Sequence, residues 1–229
     1  GTSFFDRDAR LVARELLGKI LRRPVGDLVL AAAIVEAEAY FIDEKGSHAS
    51  LGRTPSREPL FMAPGTIYMY HSRGGDSLNV SCRGEGNAVL VKSGRPYFDS
   101  LSSEHATLPA LHHNSPKAGG GERPLARLCA GQALLCRALA LKARDFSGKR
   151  FDREALYIDD VGYVPERVVV ARRHGIPIGR DEHLPYRYVD AAHPRSATVS
   201  PPVRRWEREG RDYFVLGPAD ADPNLFEAR

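Results

Sequence analysis

Cysteine is scarce in this chain of 229 residues, which contains only Cys82, Cys129 and Cys136. The count is odd and no two cysteines form a CxxC pair, so neither a disulfide framework nor a zinc knuckle is indicated. The chain also lacks any apolar run near the roughly 18 residues of a membrane span, and no charged N-terminal segment precedes an apolar one. We therefore expect a protein that is cytoplasmic (in the bacterial nucleoid) or nuclear, that is not secreted and that contacts no membrane.

A large charge excess is absent too. The 33 basic and 29 acidic residues leave a formal net charge of +4, with a pI near 9.0. This balance favours acidic partners such as nucleic acid, although many basic proteins bind none. With 42% hydrophobic residues, the chain is long enough to bury the core of one sizeable domain.

The hydrophobic pattern predicts an α+β fold. Leu11, Val12, Leu16 and Leu17 recur at helical spacing, and Gly18 follows as a C-terminal stop. Alternating or short apolar runs predict strands at 20–22, 28–40, 65–70, 77–82, 88–91, 156–158, 168–171 and 186–189. A second helix is predicted over 125–141. We expect a single mixed domain, a curved and mostly antiparallel β-sheet with flanking α-helices.

Two segments of biased composition set the expected domain limits. Residues 93–124 are rich in Gly, Ser, Pro and His, which predicts a long surface loop. The stretch after Ser200 is rich in Arg, Glu, Asp and Pro, which predicts a surface tail. The sequence thus predicts a main domain over 1–200, with its long loop at 93–124, and a C-terminal surface tail over 201–229.

The strand over 34–40 carries the first indication of chemistry. Its alternation places Glu36, Glu38 and Tyr40 on one face and Val35, Ala37 and Ala39 on the other. Two glutamates about 6.5 Å apart along a strand are unfavourable on a buried face unless that face borders water, a partner or a substrate. A solvated sheet face is the simpler interpretation of this segment alone.

Planar side chains follow in neighbouring segments, namely His48, Tyr68, Tyr70 and Asn79. An enzyme that acts on a nucleobase holds its flat face between aromatic groups and places a base near the sugar. Taken alone, each of these residues more often packs on a half-buried sheet face than stacks on a ligand.

Several ordered motifs together resemble the alkyladenine (3-methyladenine) DNA glycosylases. The resemblance rests on the strand over 34–40, on His48, on Met62-Ala63-Pro64-Gly65-Thr66-Ile67-Tyr68-Met69-Tyr70 and on Ala88-Val89-Leu90-Val91. It also includes 16–18, 128–131 and 186–189, and it runs from residue 4 to about residue 200. Such a set is far more specific than a single motif.

The resemblance implies a role for each matching residue. Glu38 takes the position of the general base, and Glu36 that of a supporting neighbour. Tyr40, His48 and Tyr70 match the residues that line the pocket for the flipped base, whereas Tyr68 matches a tyrosine outside that set. Asn79 falls at the asparagine that discriminates among purines.

The chain departs from the family pattern at several positions. Lys92 stands where the family usually has Arg, and it keeps the charge without the fixed fork of donors. Where some members insert a tyrosine wedge into DNA, this chain reads His71-Ser72-Arg73, so His71 or Arg73 is the predicted wedge. Arg53, Arg57 and Arg95 are further candidates for contacts with DNA phosphates.

These residues predict a monofunctional glycosylase that flips and excises alkylated purines from duplex DNA, with deaminated purines as further candidates. Glu38 would activate a water for attack at the sugar carbon, beside Lys92. Two alternatives stay open: a bifunctional glycosylase and lyase that uses Lys92 as nucleophile, and a module that binds damaged DNA without turnover.

No cofactor and no metal are predicted. The adjacent His112 and His113 lie in the polar segment without helical spacing or nearby carboxylates, so a metal-dependent hydrolase is the weakest alternative. The expected partner is double-stranded DNA with damaged purines. A monomer suits an enzyme that tracks along a duplex.

Overall fold

A single sheet of nine strands organises the protein, and four α-helices pack on it in the part of the chain that is described. The computed structural model describes residues 2–72 and 74–225. The strands are β1 (Ile20–Val25), β2 (Leu28–Tyr40), β3 (Ile67–Ser72), β4 (Gly75–Ser81), β5 (Ala88–Pro96), β6 (Tyr157–Asp159), β7 (Val168–Ala171), β8 (Arg187–Asp190) and β9 (Tyr213–Leu216). The helices are α1 (Ala9–Leu16), α2 (Glu104–Asn114), α3 (Gln132–Ala138) and α4 (Ala143–Phe146). The predicted α+β class, with one mostly antiparallel sheet, is confirmed.

The strand order places β2 at the centre of the sheet. Along the sheet the order is β3, β4, β5, β2, β8, β7, β9, and β1 lies between β2 and β6. The long β2 pairs with β5 along one edge, while β1 and then β8 follow one another along its other edge. All of these pairings are antiparallel. Both glutamates of β2 are therefore buried in the middle of the sheet.

An irregularity between β2 and β5 changes the faces that the alternation predicts. Ile34 pairs with Gly94, Glu36 with Ser93 and Ala37 with Val91, so Val35 and Lys92 have no direct partner. Extra residues of this kind form a β-bulge, which turns side chains relative to the regular pleat.

Val35 lies on the bulged stretch and packs with Val169, Ala171, Val189 and Ala197, apart from the main core that contains Ala37 and Ala39. The predicted grouping of Val35 with those alanines is thus wrong, because the bulge breaks the two-residue period.

The main core lies between the sheet and helices α1 and α3. Asp8 caps α1 by accepting a hydrogen bond from the Arg10 backbone N–H at 2.8 Å, and Val12 and Leu16 are fully buried. Cys129 and Cys136 are fully buried in the same core, in agreement with a packing role. The predicted helix over 125–141 is shorter, since α3 begins only at Gln132 after a 3₁₀ turn at Leu125–Arg127. Among the described residues, no helix has the length and apolar character that a membrane span requires.

Residues 93–124 do not form the long surface loop that their composition suggests. Strand β5 continues to Pro96, and α2 occupies Glu104–Asn114. Only Thr107 and Leu111, one helical turn apart, are buried in α2. A helix with so narrow an apolar stripe leaves little periodic signal, so its Gly, Ser, Pro and His surroundings dominated the prediction.

The segment after Ser200 also differs from the predicted surface tail. Strand β9 extends the sheet by pairing with β7. Further on, Tyr188 of β8 donates its hydroxyl hydrogen to Asp222 at 2.6 Å, and Asn224 accepts a hydrogen bond from the Arg10 guanidinium. These partners are distant in sequence, so local composition could not reveal them.

Candidate active site

Glu38 lies at the centre of the candidate site and is completely buried. Its Oε2 atom accepts a hydrogen bond from the Tyr40 hydroxyl at 2.7 Å and lies 3.3 Å from Lys92 Nζ. Its Oε1 atom accepts the backbone N–H of His174 at 3.3 Å. Both carboxylate oxygens therefore have donors, as a buried charge requires.

The donors around Glu38 keep it ionised. Burial alone would raise the pKa of Glu38, but the charge of Lys92, the hydrogen bond from Tyr40 and the charge of Arg187 together lower it below the ordinary glutamate value. An ionised carboxylate that stays charged at neutral pH can act as a general base.

Glu36 has a different environment, although it is only two residues away. It lies 3.3 Å from Arg187 Nη1 and accepts the Thr198 backbone N–H at 2.6 Å. Burial raises the pKa of Glu36, against the opposing charge of Arg187. The pKa values of the two glutamates thus move in opposite directions, because their charged neighbours differ.

The β-bulge brings Lys92 to Glu38. Lys92 has no direct partner on β2, its side chain is buried, and its Nζ atom also approaches the His174 carbonyl oxygen at 3.5 Å. Bulges next to active sites often redirect a side chain in this way. Lys92, Glu38 and the His174 backbone therefore form one compact polar cluster.

An aromatic wall stands beside this cluster. The rings of His48 and Tyr70 have centroids 4.4 Å apart, and those of Tyr68 and Tyr70 are 5.6 Å apart. His48 Nδ1 and the Tyr68 hydroxyl form a 3.0 Å hydrogen bond. Burial, followed by the charges of Arg57 and Arg180, lowers the pKa of His48, so a neutral imidazole is expected at pH 7. Tyr68, which the resemblance left outside the pocket set, belongs to this wall.

These side chains enclose a cavity of about 590 Å³. The cavity is lined by Tyr40, His48, Tyr70, Asn79 and Lys92 from the predicted site. Asn79 is buried and donates its side-chain amide to the Tyr68 carbonyl at 3.2 Å. Glu38 lies directly behind Tyr40, Lys92 and His174, which all reach the cavity wall. The structure therefore brings together six of the predicted residues.

The residues that are predicted to contact DNA and are described by the structure do not line this cavity. Arg53 is exposed and pairs with Glu58, whereas Arg57 donates to the carbonyls of Leu51 and Gly52. His71 is exposed on the β3–β4 hairpin, 3.5 Å from Asp76. Arg73 falls outside the described residues.

Three residues near the site carry no predicted role. Arg173 stacks its guanidinium 4.4 Å from the Tyr40 ring centroid and donates to the Ala39 carbonyl at 2.8 Å. His174 touches Glu38 through its backbone, and Arg187 touches Glu36. Arg187 lies within a motif of the resemblance, but Arg173 and His174 follow the end of β7 by two and three residues and left no signal in the sequence.

His174 should make the fold sensitive to acid. Burial and the charge of Arg187 lower the pKa of His174 to about 4, against about 6.5 in an unfolded chain. As the pH falls, the unfolded chain binds this proton first, so stability present above pH 6.5 is lost progressively towards pH 4. Urea unfolding at pH 7.5 and 4.5 should show a smaller pH effect for His174→Gln than for the wild type. An equal effect would contradict this assignment.

No group of three or more His, Cys, Asp or Glu side chains is placed to hold a metal within 2–72 and 74–225. His112 and His113 lie in the last turn of α2 rather than in a loop, and His112 Nε2 is 3.9 Å from Glu122.

Comparison with known proteins identifies the family. The family model described as methylpurine-DNA glycosylase matches residues 3–194. The chain belongs to the methylpurine-DNA glycosylase family. A protein of Pseudomonas aeruginosa strain UCBPP-PA14 is 56% identical over 97% of this chain and 92% of its own length, and one of Pseudomonas syringae pv. tomato is 56% identical over 93% and 95%. A Koribacter versatilis protein is 34% identical over 84% and 89%. All three carry the name "Putative 3-methyladenine DNA glycosylase".

Membership in the methylpurine-DNA glycosylase family confirms two predictions. The family predicted from the ordered sequence motifs is the correct one. The chain is also an enzyme of the class that hydrolyses N-glycosyl bonds in DNA. The roles assigned to single residues stay predictions.

Proposed function

We propose that this glycosylase flips alkylated purines out of duplex DNA and releases them by hydrolysis, with Glu38 as the base that activates water. The observation that carries the proposal is an ionised, buried carboxylate placed directly behind an aromatic cavity in a chain of this family. A cavity of about 590 Å³ falls in the range of small-molecule sites, large enough for one nucleobase.

The access of water to Glu38 follows from its contacts. Glu38 itself is shielded from solvent, yet Tyr40, Lys92 and His174 connect it to the cavity. The Lys92 contacts, at 3.3 and 3.5 Å, are longer than the Tyr40 bond at 2.7 Å. A small shift of Lys92 would admit a water between Glu38, Lys92 Nζ and the His174 carbonyl. That water would have one acceptor for its proton and two groups to orient it.

The cavity wall suits an alkylated base. Alkylation at a ring nitrogen makes the purine cationic, and a cation stacked on Tyr40, Tyr70 and neutral His48 is attracted to the ring faces. Such a base leaves readily without a second acid. A deaminated purine is neutral and needs a proton or a strong hydrogen bond on departure, so we propose it as a weaker substrate.

A panel of duplex oligonucleotides tests the proposed function. Each duplex carries one methylated adenine, methylated guanine, ethenoadenine or hypoxanthine, and base release is measured under single-turnover conditions in the presence of EDTA. We expect release of methylated adenine without metal, none from undamaged duplex, and an affinity that falls steeply with salt because phosphate contacts dominate binding. Tight damage-specific binding without release of any base would instead identify a binding module.

Lys92 supports one competing chemistry, because its amine lies in the cavity wall. If the neutral amine of Lys92 attacked the anomeric carbon, the base would leave, the sugar ring would open to give an imine, and β-elimination of the 3′ phosphate could cleave the strand. We propose hydrolysis instead, because Lys92 Nζ is engaged by the Glu38 carboxylate. Treatment of the reaction with borohydride should trap no adduct; an adduct that disappears in Lys92→Gln would establish the lyase.

A further inference from the structure

The loop from Gly175 to Glu182, here called the rim loop, carries an apolar side chain that does not pack against the rest of the protein. Ile178 is 93% exposed, more than any other large hydrophobic residue among those described. Isolated exposed aliphatics are ordinary on protein surfaces, but nearly complete exposure means that Ile178 packs on nothing in the free protein. Its position makes this exposure informative.

The rim loop borders the base cavity. Ile176, Pro177 and Arg180 line the cavity on both sides of Ile178. Ser72, from the β3–β4 hairpin that carries the predicted wedge His71, lines the same cavity. If a base is flipped into the cavity, the rim loop and the β3–β4 hairpin therefore both meet the DNA at the mouth, the open side of the cavity.

Hydrogen bonds to the segment at 44–46 hold the rim loop in place. Arg180 Nε donates to the Lys45 carbonyl at 2.8 Å, and Asp181 accepts the Lys45 backbone N–H at 2.7 Å. The contact is close: a Cβ at Gly46 would lie 2.9 Å from the Arg180 carbonyl oxygen. Within the loop, the Gly179 N–H donates to Glu182 at 2.8 Å. Ile178 is thus presented on a preorganised loop, which reduces the ordering cost on binding.

The charge at the mouth favours nucleic acid as the partner. Arg180 lines the cavity, and Arg57 donates to the carbonyl of Leu51, another lining residue, so two guanidinium groups lie near the cavity that His48 also lines. Phosphates that flank a flipped nucleotide would meet these cations. An apolar side chain on the same loop as Arg180 fits a duplex whose backbone is bound and whose base stack is opened.

We propose that Ile178 is an apolar wedge that enters the base stack of the damaged duplex beside the flipped nucleotide. Isoleucine and other apolar side chains act in this manner in proteins that partly unstack base steps. The rim loop then works together with the β3–β4 hairpin. The hairpin fills the gap that the flipped nucleotide leaves, and Ile178 of the rim loop holds the neighbouring base step open. The proposal rests on the proposed function, because it assumes that the cavity receives a base from duplex DNA.

A fluorescence experiment tests the wedge without requiring catalysis. A duplex carries the abasic analogue tetrahydrofuran with 2-aminopurine beside it, and unstacking raises the fluorescence of 2-aminopurine. The wild type and Ile178→Leu should raise the signal, whereas Ile178→Ser should lose most of the increase. Val164→Ser is the matched control, because Val164 is also an exposed β-branched residue, at 63%, and does not line the cavity.

Base release from methylated adenine supplies the second measurement. Ile178→Ser should slow single-turnover release from duplex by about tenfold, the order expected when one stacking contact is lost, and leave release from a single-stranded oligonucleotide unchanged. Wild-type behaviour of Ile178→Ser in both assays, or an equal loss on single strands or in Val164→Ser, would overturn the wedge. Fluorescence that depends on Ile178 with no base release by the wild type would overturn the proposed function and leave the wedge standing.

Discussion

Glu38→Gln should slow single-turnover release of methylated adenine by about 10²–10⁴-fold, the usual contribution of a general base. Glutamine keeps the size of the side chain, but its single amide oxygen can accept only one of the Tyr40 and His174 hydrogen bonds, and it cannot take a proton from water. The pKa of Glu38 is lowered by its neighbours, so the wild-type rate should decline only when the pH falls below the ordinary glutamate range. Glu38→Gln should lack that decline.

Binding and folding are the controls for this variant. The substitution leaves Lys92 without its carboxylate partner, so thermal melting and affinity for an abasic-analogue duplex are measured alongside release. The exposed Glu154→Gln should release base at the wild-type rate. Near-wild-type release by a folded Glu38→Gln would refute the assignment of Glu38 as the base.

Arg187→Met should lower the free energy of unfolding by about 3–5 kcal/mol, because it leaves the buried Glu36 carboxylate without its ionic partner. Arg187 is 1% exposed and Glu36 is completely buried, so water cannot replace the lost contact. Arg187 also donates to the Pro202 and Arg172 carbonyls, so its loss frees acceptors on two segments. Urea unfolding at pH 7.5 measures the effect.

A double variant separates the unpaired charge from lost packing. In Glu36→Met/Arg187→Met both charges are absent, so most of the lost stability should return, as observed generally when buried ion pairs become apolar. Arg211→Met is the surface control, because its pair with Asp212 is exposed, and a change within about 1 kcal/mol is expected. A single variant as stable as the wild type, or a double variant as unstable as the single one, would contradict this account of the pair.

The sequence predicted the local features of the site because each of them depends on the residue pattern of one short segment. Alternation over 34–40 and 65–70 indicated strands with polar and aromatic faces, and β2 and β3 confirm both strands. The ordered motifs then identified the family, which the family model confirms. Tyr40, Tyr70 and Asn79 could be assigned to a common pocket for two reasons. Their strands follow one another along the chain, and all three residues match motifs of the family.

Where long-range contacts decide, the sequence interpretation failed. Local composition predicts a loop where helix α2 forms, because only Thr107 and Leu111 of that helix are buried. It predicts a surface tail where strand β9 forms, because the pairing of β9 with β7 joins segments far apart in the sequence. The bulge at Val35 and Lys92 has no signature in either strand alone, because it arises from the register between them.

The sequence by itself determined the α+β class, the family and the two carboxylates on one strand. Only the tertiary structure decided in which direction the pKa of each carboxylate moves: Lys92 reaches Glu38 from the neighbouring strand β5, while Glu36 is buried against Arg187. The physical reason is that a pKa depends on burial and on charges a few ångströms away, and those distances are set by strand register and by loops that the chain brings back from more than 130 residues further along.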